Sequence, residues 1–148
     1  MLGLFDDARV ELDRLPAETQ GLTEVLTVRL ALCQATERWA AMQAAARRLL
    51  DLEPASSDWS IALAYATRRA ESIEQARLIL MEALERHPLE PLVHYNLACY
   101  DCQLGDVPSA KRFIERALRL KPSMGRMALE DGDLEPIWDS LAHDLSEG

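Results

Sequence analysis

Between Val107 and Leu120, apolar residues recur at helical spacing. Val107, Ala110, Ile114 and Ala117 fall three or four apart, and Lys111, Arg112, Glu115, Arg116 and Arg119 fill the gaps. That spacing predicts a helix with one face against a core. Moved back by 34 residues the stripe returns as Ile73, Ala76, Leu80 and Ala83. A second shift gives Trp39, Met42, Ala46 and Leu49, and a third gives Phe5, Ala8, Leu12 and Leu15. Pro54, Pro88 and Pro122 keep the same period. Four columns that stay apolar over three shifts mark an internal repeat, each unit a pair of helices unable to bury its apolar face alone.

Read in order, residues 3–15 predict one opening helix, stopped by Pro16, which lacks the N–H and crowds the preceding turn. Paired helices follow at about Leu22–Ala35 with Arg38–Asp51, Asp58–Ala70 with Ile73–Arg86, and Leu92–Leu104 with Val107–Leu120. Ser72 with Gln75 fits a capping box. Gly105 supplies a turn, Asp106 is an N-cap, and Pro108 falls in a first turn where its missing donor costs nothing. After Pro122 the period breaks. Asp133 as N-cap then opens a closing helix at about Leu134–Asp144, with Leu134, Ile137, Trp138 and Leu141 on one face. Such an element would cover the last apolar surface of an array.

These residues resemble the tetratricopeptide-repeat family over roughly residues 3–122, most clearly in HYNLACYDCQLGD followed by Ala110, Ala117 and Pro122. The tail around DLEPIW is similar to tails that follow the last repeat in some bacterial members. The resemblance implies an all-α fold, a right-handed α-solenoid of antiparallel helix pairs with a C-terminal capping helix. One domain is then expected over residues 1–148: an opening half-repeat and link (1–21), repeats at 22–56, 57–90 and 91–124, and a cap (125–148).

The resemblance also implies a concave groove lined by the first helix of each repeat. Its expected partner-binding residues here are Ile61, Tyr65, Arg68 and Arg69 from one repeat and Tyr95, Cys99 and Gln103 from the next. Tyr65 and Tyr95 would stand at similar height on adjacent helices. Tyrosine offers contact area at low entropic cost and arginine pairs with carboxylates, so the set suits a peptide. A subtype that clamps acidic chaperone tails needs polar and basic residues where this chain has Thr27, Ala31, Ala62, Leu92 and Asn96, which speaks against that ligand.

Composition narrows the function. The chain has 148 residues and a net charge of −9. Nucleic acid and anionic membranes both call for a basic surface, so neither is an expected partner. Residues 91–124 carry 5 basic and 3 acidic groups, whereas residues 125–148 carry 1 and 7. Three cysteines make no even disulfide framework, no apolar run approaches the length of a membrane span, and the acidic start does not resemble a signal peptide. A cytoplasmic location is expected.

Candidate chemistry is sparse. Cys99-x-x-Cys102 lacks the further ligands that zinc needs and the preceding strand of a thioredoxin-like motif. Cys33, Cys99 and Cys102 are expected as small packed thiols. His87, His94 and His143 form no triad, and Asp131 and Asp133 read as turn acids. No catalytic, metal or cofactor residue is assigned. The expected function is a non-enzymatic adaptor or scaffold that binds a protein or peptide segment in its groove. The alternative is self-assembly, as a homodimer, through the opening helix, whose Phe5, Leu12 and Leu15 lack the usual partner helix.

Overall fold

A computed structural model describes residues 2–147. Among the described residues every regular element is helical. The chain divides into two compact units, residues 1–76 and 77–148.

The first unit holds α1 (Leu2–Asp13), a 3-10 turn (Ala17–Thr19), α2 (Thr23–Ala35), α3 (Trp39–Leu52) and α4 (Ser57–Ala70). Neighbours in sequence pack in turn, α1 on α2, α2 on α3 and α3 on α4. Met42, Ala46 and Leu49 of the periodic stripe are at most 1% exposed, and Leu63, Ala64 and Ala66 of α4 are buried with them. In α1 the same columns are only half-covered, and Leu15, just beyond the helix, is 37% exposed. The α2–α3 turn places Glu37 at φ 56°, which an L side chain adopts at a cost. Arg38 N–H closes it onto the Cys33 carbonyl at 2.8 Å.

The helix α5 (Ile73–Arg86) begins at the end of the first unit and runs into the second. The second unit continues with α6 (Pro91–Gln103), α7 (Val107–Leu120), α8 (Met124–Glu130), a 3-10 segment (Gly132–Ile137) and α9 (Trp138–Glu147). Its core joins Leu80 and Ala83, Val93, Leu97 and Ala98, Ala110, Ile114 and Ala117, and Leu134, Ile137 and Leu141. Full burial of each larger aliphatic contributes about 1.5–3 kcal/mol. The expected Asp106 cap forms, with Ser109 N–H donating to its Oδ1 at 3.2 Å, and half of the expected capping box forms, with Gln75 N–H donating to Ser72 Oγ at 3.1 Å while Ser72 N–H goes to the Thr67 carbonyl at 3.1 Å. Gly105 takes φ 83° in the turn between α6 and α7, and Asp106 N–H returns to the Asp101 carbonyl at 2.9 Å.

The C-terminal region differs from the sequence reading in two ways. A short helix, α8, forms where only a turn is expected. The expected closing helix splits into the 3-10 segment and α9, since Pro136 lies inside the former and cannot donate to an α ladder. The cap is accordingly Asp131 rather than Asp133, with Asp131 Oδ1 accepting from Asp133 N–H at 3.1 Å. The apolar spacing still holds: Leu134, Ile137 and Leu141 are at most 3% exposed, and Trp138 donates from Nε1 to the Ala128 carbonyl at 3.0 Å.

Candidate functional site

In the first unit, α4 carries Ile61, Tyr65, Arg68 and Arg69. Ile61, Tyr65 and Arg68 are half-buried and Arg69 is exposed. The structure brings Tyr65 and Arg69 together with Trp39, the first residue of α3. The Trp39 and Tyr65 rings meet edge to face, with centroids 5.8 Å apart at 65°. The Arg69 guanidinium lies 3.7 Å from the Tyr65 centroid and 5.1 Å from that of Trp39. Such cation–π contacts contribute about 0.5–1 kcal/mol each at exposed positions. Arg69 Nη1 also donates to the Tyr65 carbonyl at 2.9 Å, which fixes the side chain along α4. A stacked guanidinium keeps in-plane donors for a carboxylate or carbonyl.

The stack borders a recess of about 480 Å³, whose other walls are Gln34, Ala35, Thr36 and Glu37 at the end of α2. The sequence reading places Trp39 in the apolar column only. Its role as an aromatic wall was visible at most as a tryptophan opening a helix, a residue type that is rarely fully buried.

In the second unit, α6 carries Tyr95, Cys99 and Gln103, and the chain itself occupies this face. Tyr95 OH donates to Asp131 Oδ2 at 2.9 Å, and Cys99 Sγ lies 3.8 Å from the same oxygen. Gln103 Nε2 donates to the Asp133 carbonyl at 3.1 Å. Tyr95 and Cys99 are buried and Gln103 is exposed. Burial first, and then the hydrogen bond to Asp131, raises the Tyr95 phenol pKa. Asp131 and Asp133 are therefore half-buried fasteners of the C-terminal segment rather than solvated turn acids.

Cys99, Asp131 and Asp133 offer ligand atoms within 4.8 Å of one another. Both Asp131 oxygens are already engaged, one by Asp133 N–H and the other by Tyr95 and Cys99. Cys102 is buried, and burial, followed by the nearby carboxylates of Asp101, Asp133 and Asp131, pushes its thiol up to about 11. That is the reverse of an activated nucleophile. His94 donates from Nε2 to the Pro88 carbonyl at 2.8 Å and tilts against Phe113, with centroids 6.1 Å apart.

One polar cluster was missed from the sequence altogether. Asp101 on α6 is 1% exposed and accepts from Arg77 Nε at 2.6 Å and from Ser109 Oγ. Its partners lie 24 and 8 residues away, so no local pattern signals the cluster. Arg77 gains from it: the hydrogen bond to Asp101 raises its pKa further.

No family model and no curated protein matches the chain. Among solved structures it is similar to MamA MSR-1 C2, with a TM-score of 0.68 and 20% identity, covering 82% of this chain and 70% of that one. It is also similar to a MamA RS-1 ArsTM double mutant, with a TM-score of 0.70 and 16% identity, covering 83% and 69%. At such identities the likeness is one of fold, and that fold is a tetratricopeptide-like helical repeat.

Proposed function

We propose that this chain is a protein-interaction module in which Ile61, Tyr65, Arg68 and Arg69, joined by Trp39, receive a segment of a partner protein. The observation that carries the reading is the Trp39–Tyr65–Arg69 stack beside its recess. Aromatic and arginine anchors of this kind dominate binding energy where they occur. Tyr95, Cys99 and Gln103 take no part in that contact, because they hold residues 131–133. The repeats run over 22–56, 57–90 and 91–124, with residues 125–148 as the cap, and the module works as a scaffold without catalysis in the cytoplasm.

The test is capture of partners from lysate by wild type, Tyr65→Ala, Arg69→Glu and Tyr95→Phe. Wild type and Tyr95→Phe should retain the same proteins, and the two first-unit variants should lose them. Retention of every partner by Tyr65→Ala and Arg69→Glu would remove the site.

A second reading is self-association through α1, favoured by Leu4 at 69% and Val10 at 39% exposure on the helix and Leu15 at 37% just beyond it. Light scattering coupled to size exclusion decides it. A monomer that persists across a wide concentration range would dismiss a homodimer.

A further inference from the structure

A separate cavity of about 770 Å³ lies within the first unit, walled by α1, α2 and α3. Its size falls in the range of small-molecule sites. Phe5 of α1 and Leu26 and Leu32 of α2 supply its larger apolar surfaces. On the α3 side Ala41, Ala44 and Ala45 leave open the space that bulkier residues would fill.

The charge around it is unlike that of the chain as a whole. Five arginines line the cavity, Arg9, Arg29, Arg38, Arg47 and Arg48, against two carboxylates, Asp6 and Asp51. The chain's net charge is −9, so this is a local inversion of sign. Arg29 is already committed, 2.8 Å from Asp13 and 2.7 Å from Gln20 Oε1. Arg9 reaches Asp6 only at 4.0 Å, and its Nε is buried without a hydrogen-bond partner. Among the described residues no carboxylate pairs with Arg38, Arg47 or Arg48. Arg48 is exposed and its Nη2 lies by Gly21, ahead of α2, whereas Arg38 stands near Cys33 at the other end of the cavity, about 15 Å away at 1.5 Å per residue along α3. An apolar chamber with unpaired guanidinium groups at its wall is complementary to a molecule with an apolar body and an anionic head.

We propose that this cavity binds a small amphiphilic organic anion, with its acidic head on Arg47 and Arg48 and its apolar body against Leu26, Leu32 and Phe5, toward Cys33. Thr36 borders both recesses, but the anion site uses none of Trp39, Tyr65 or Arg69 and stands or falls separately. Cys33 lines the same cavity and is half-buried, whereas Cys99 and Cys102 are buried in the second unit, so Cys33 alkylation reports occupancy.

The probe is dodecanoate below its micelle concentration, with dodecyltrimethylammonium as the cationic counterpart and an acidic helical peptide as the macromolecular one. Iodoacetamide labelling of Cys33 is followed by mass spectrometry, with circular dichroism confirming that the fold is retained. Dodecanoate should slow labelling saturably and the cation should not. Arg47→Gln with Arg48→Gln should weaken protection by about tenfold or more, as loss of charge-assisted pairing requires. Ala44→Phe fills the chamber without changing its charge and should abolish protection, which keeps the test valid if the double variant folds poorly. Arg112→Gln, exposed on α7, should leave it unchanged. No protection by dodecanoate, equal protection by the cation, or protection by the acidic peptide alone would each overturn the proposal.

Discussion

Replacing Asp101 by leucine is expected to destabilise the second unit by about 3 kcal/mol, from two contributions. The first is the charge-assisted hydrogen bond from Arg77, worth about 1.5–3 kcal/mol when fully buried. Arg77 is 29% exposed and can recover water once its partner is gone, which reduces this to about 1–2 kcal/mol. The second is Ser109, 6% exposed, whose hydroxyl would lose its acceptor at a cost of about 1–2 kcal/mol. Asparagine at 101 keeps an acceptor for one donor and should cost about half as much. Removing Arg77 as well, in Arg77→Met with Asp101→Leu, should cost less than the sum of the single changes, because contacting residues are coupled. The assay is urea unfolding followed by fluorescence of Trp138, with Trp39 and Trp59 changed to phenylalanine so that only the second unit reports. A leucine variant within about 0.5 kcal/mol of its parent would refute the reasoning, since surface substitutions alone fall in that range.

Three further outcomes are expected. Tyr95→Phe should cost about 1 kcal/mol, the lower range for a bond to a carboxylate that can rehydrate, and should lower hydrogen-exchange protection across residues 131–137. Glu37→Gly and Gly105→Ala occupy equivalent turns with φ 56° and 83° and should act in opposite directions in urea titrations. Relief of left-handed strain favours the first by about 1 kcal/mol, and imposition of it opposes the second by about 1–2 kcal/mol. Alkaline stability should fall between pH 9 and 11, because the unfolded Cys102 thiol ionises from its ordinary 9.0 while the folded one stays protonated to about 11. That contribution is complete below pH 9 and lost as pH rises, so Cys102→Ala should flatten the decline in a pH series of thermal melts.

The repeat and its helix faces were legible because they are local and periodic. Ile73–Arg86 and Val107–Leu120 have the bounds that the apolar stripe predicts, and Ser72, Gly105 and Asp106 act as their side-chain chemistry dictates. Once the period ended, that guide was lost: α8 is a single short helix containing Gly125, and Pro136 diverts the closing helix into a 3-10 segment. Contacts distant in sequence were not legible. Asp101 with Arg77, Tyr95 with Asp131, and Trp39 with Tyr65 and Arg69 all depend on which helix faces meet. Tyr95, Cys99 and Gln103 fall at groove positions of the repeat, and position alone carries no information about the segment that covers them.

On the proposed function, the Trp39–Tyr65–Arg69 face holds the partner. The decisive measurement places a photo-crosslinking amino acid at position 34, 35 or 103 in separate variants, which leaves Arg68 and Arg69 unchanged, the latter beside the recess, and identifies the proteins attached after irradiation in lysate. The expected result is a common partner attached from positions 34 and 35 and lost when Tyr65→Ala is added, with position 103 attaching only to the chain's own residues near Asp133. Attachment of that partner from position 103, or its persistence at position 35 after Tyr65→Ala, would contradict the proposal.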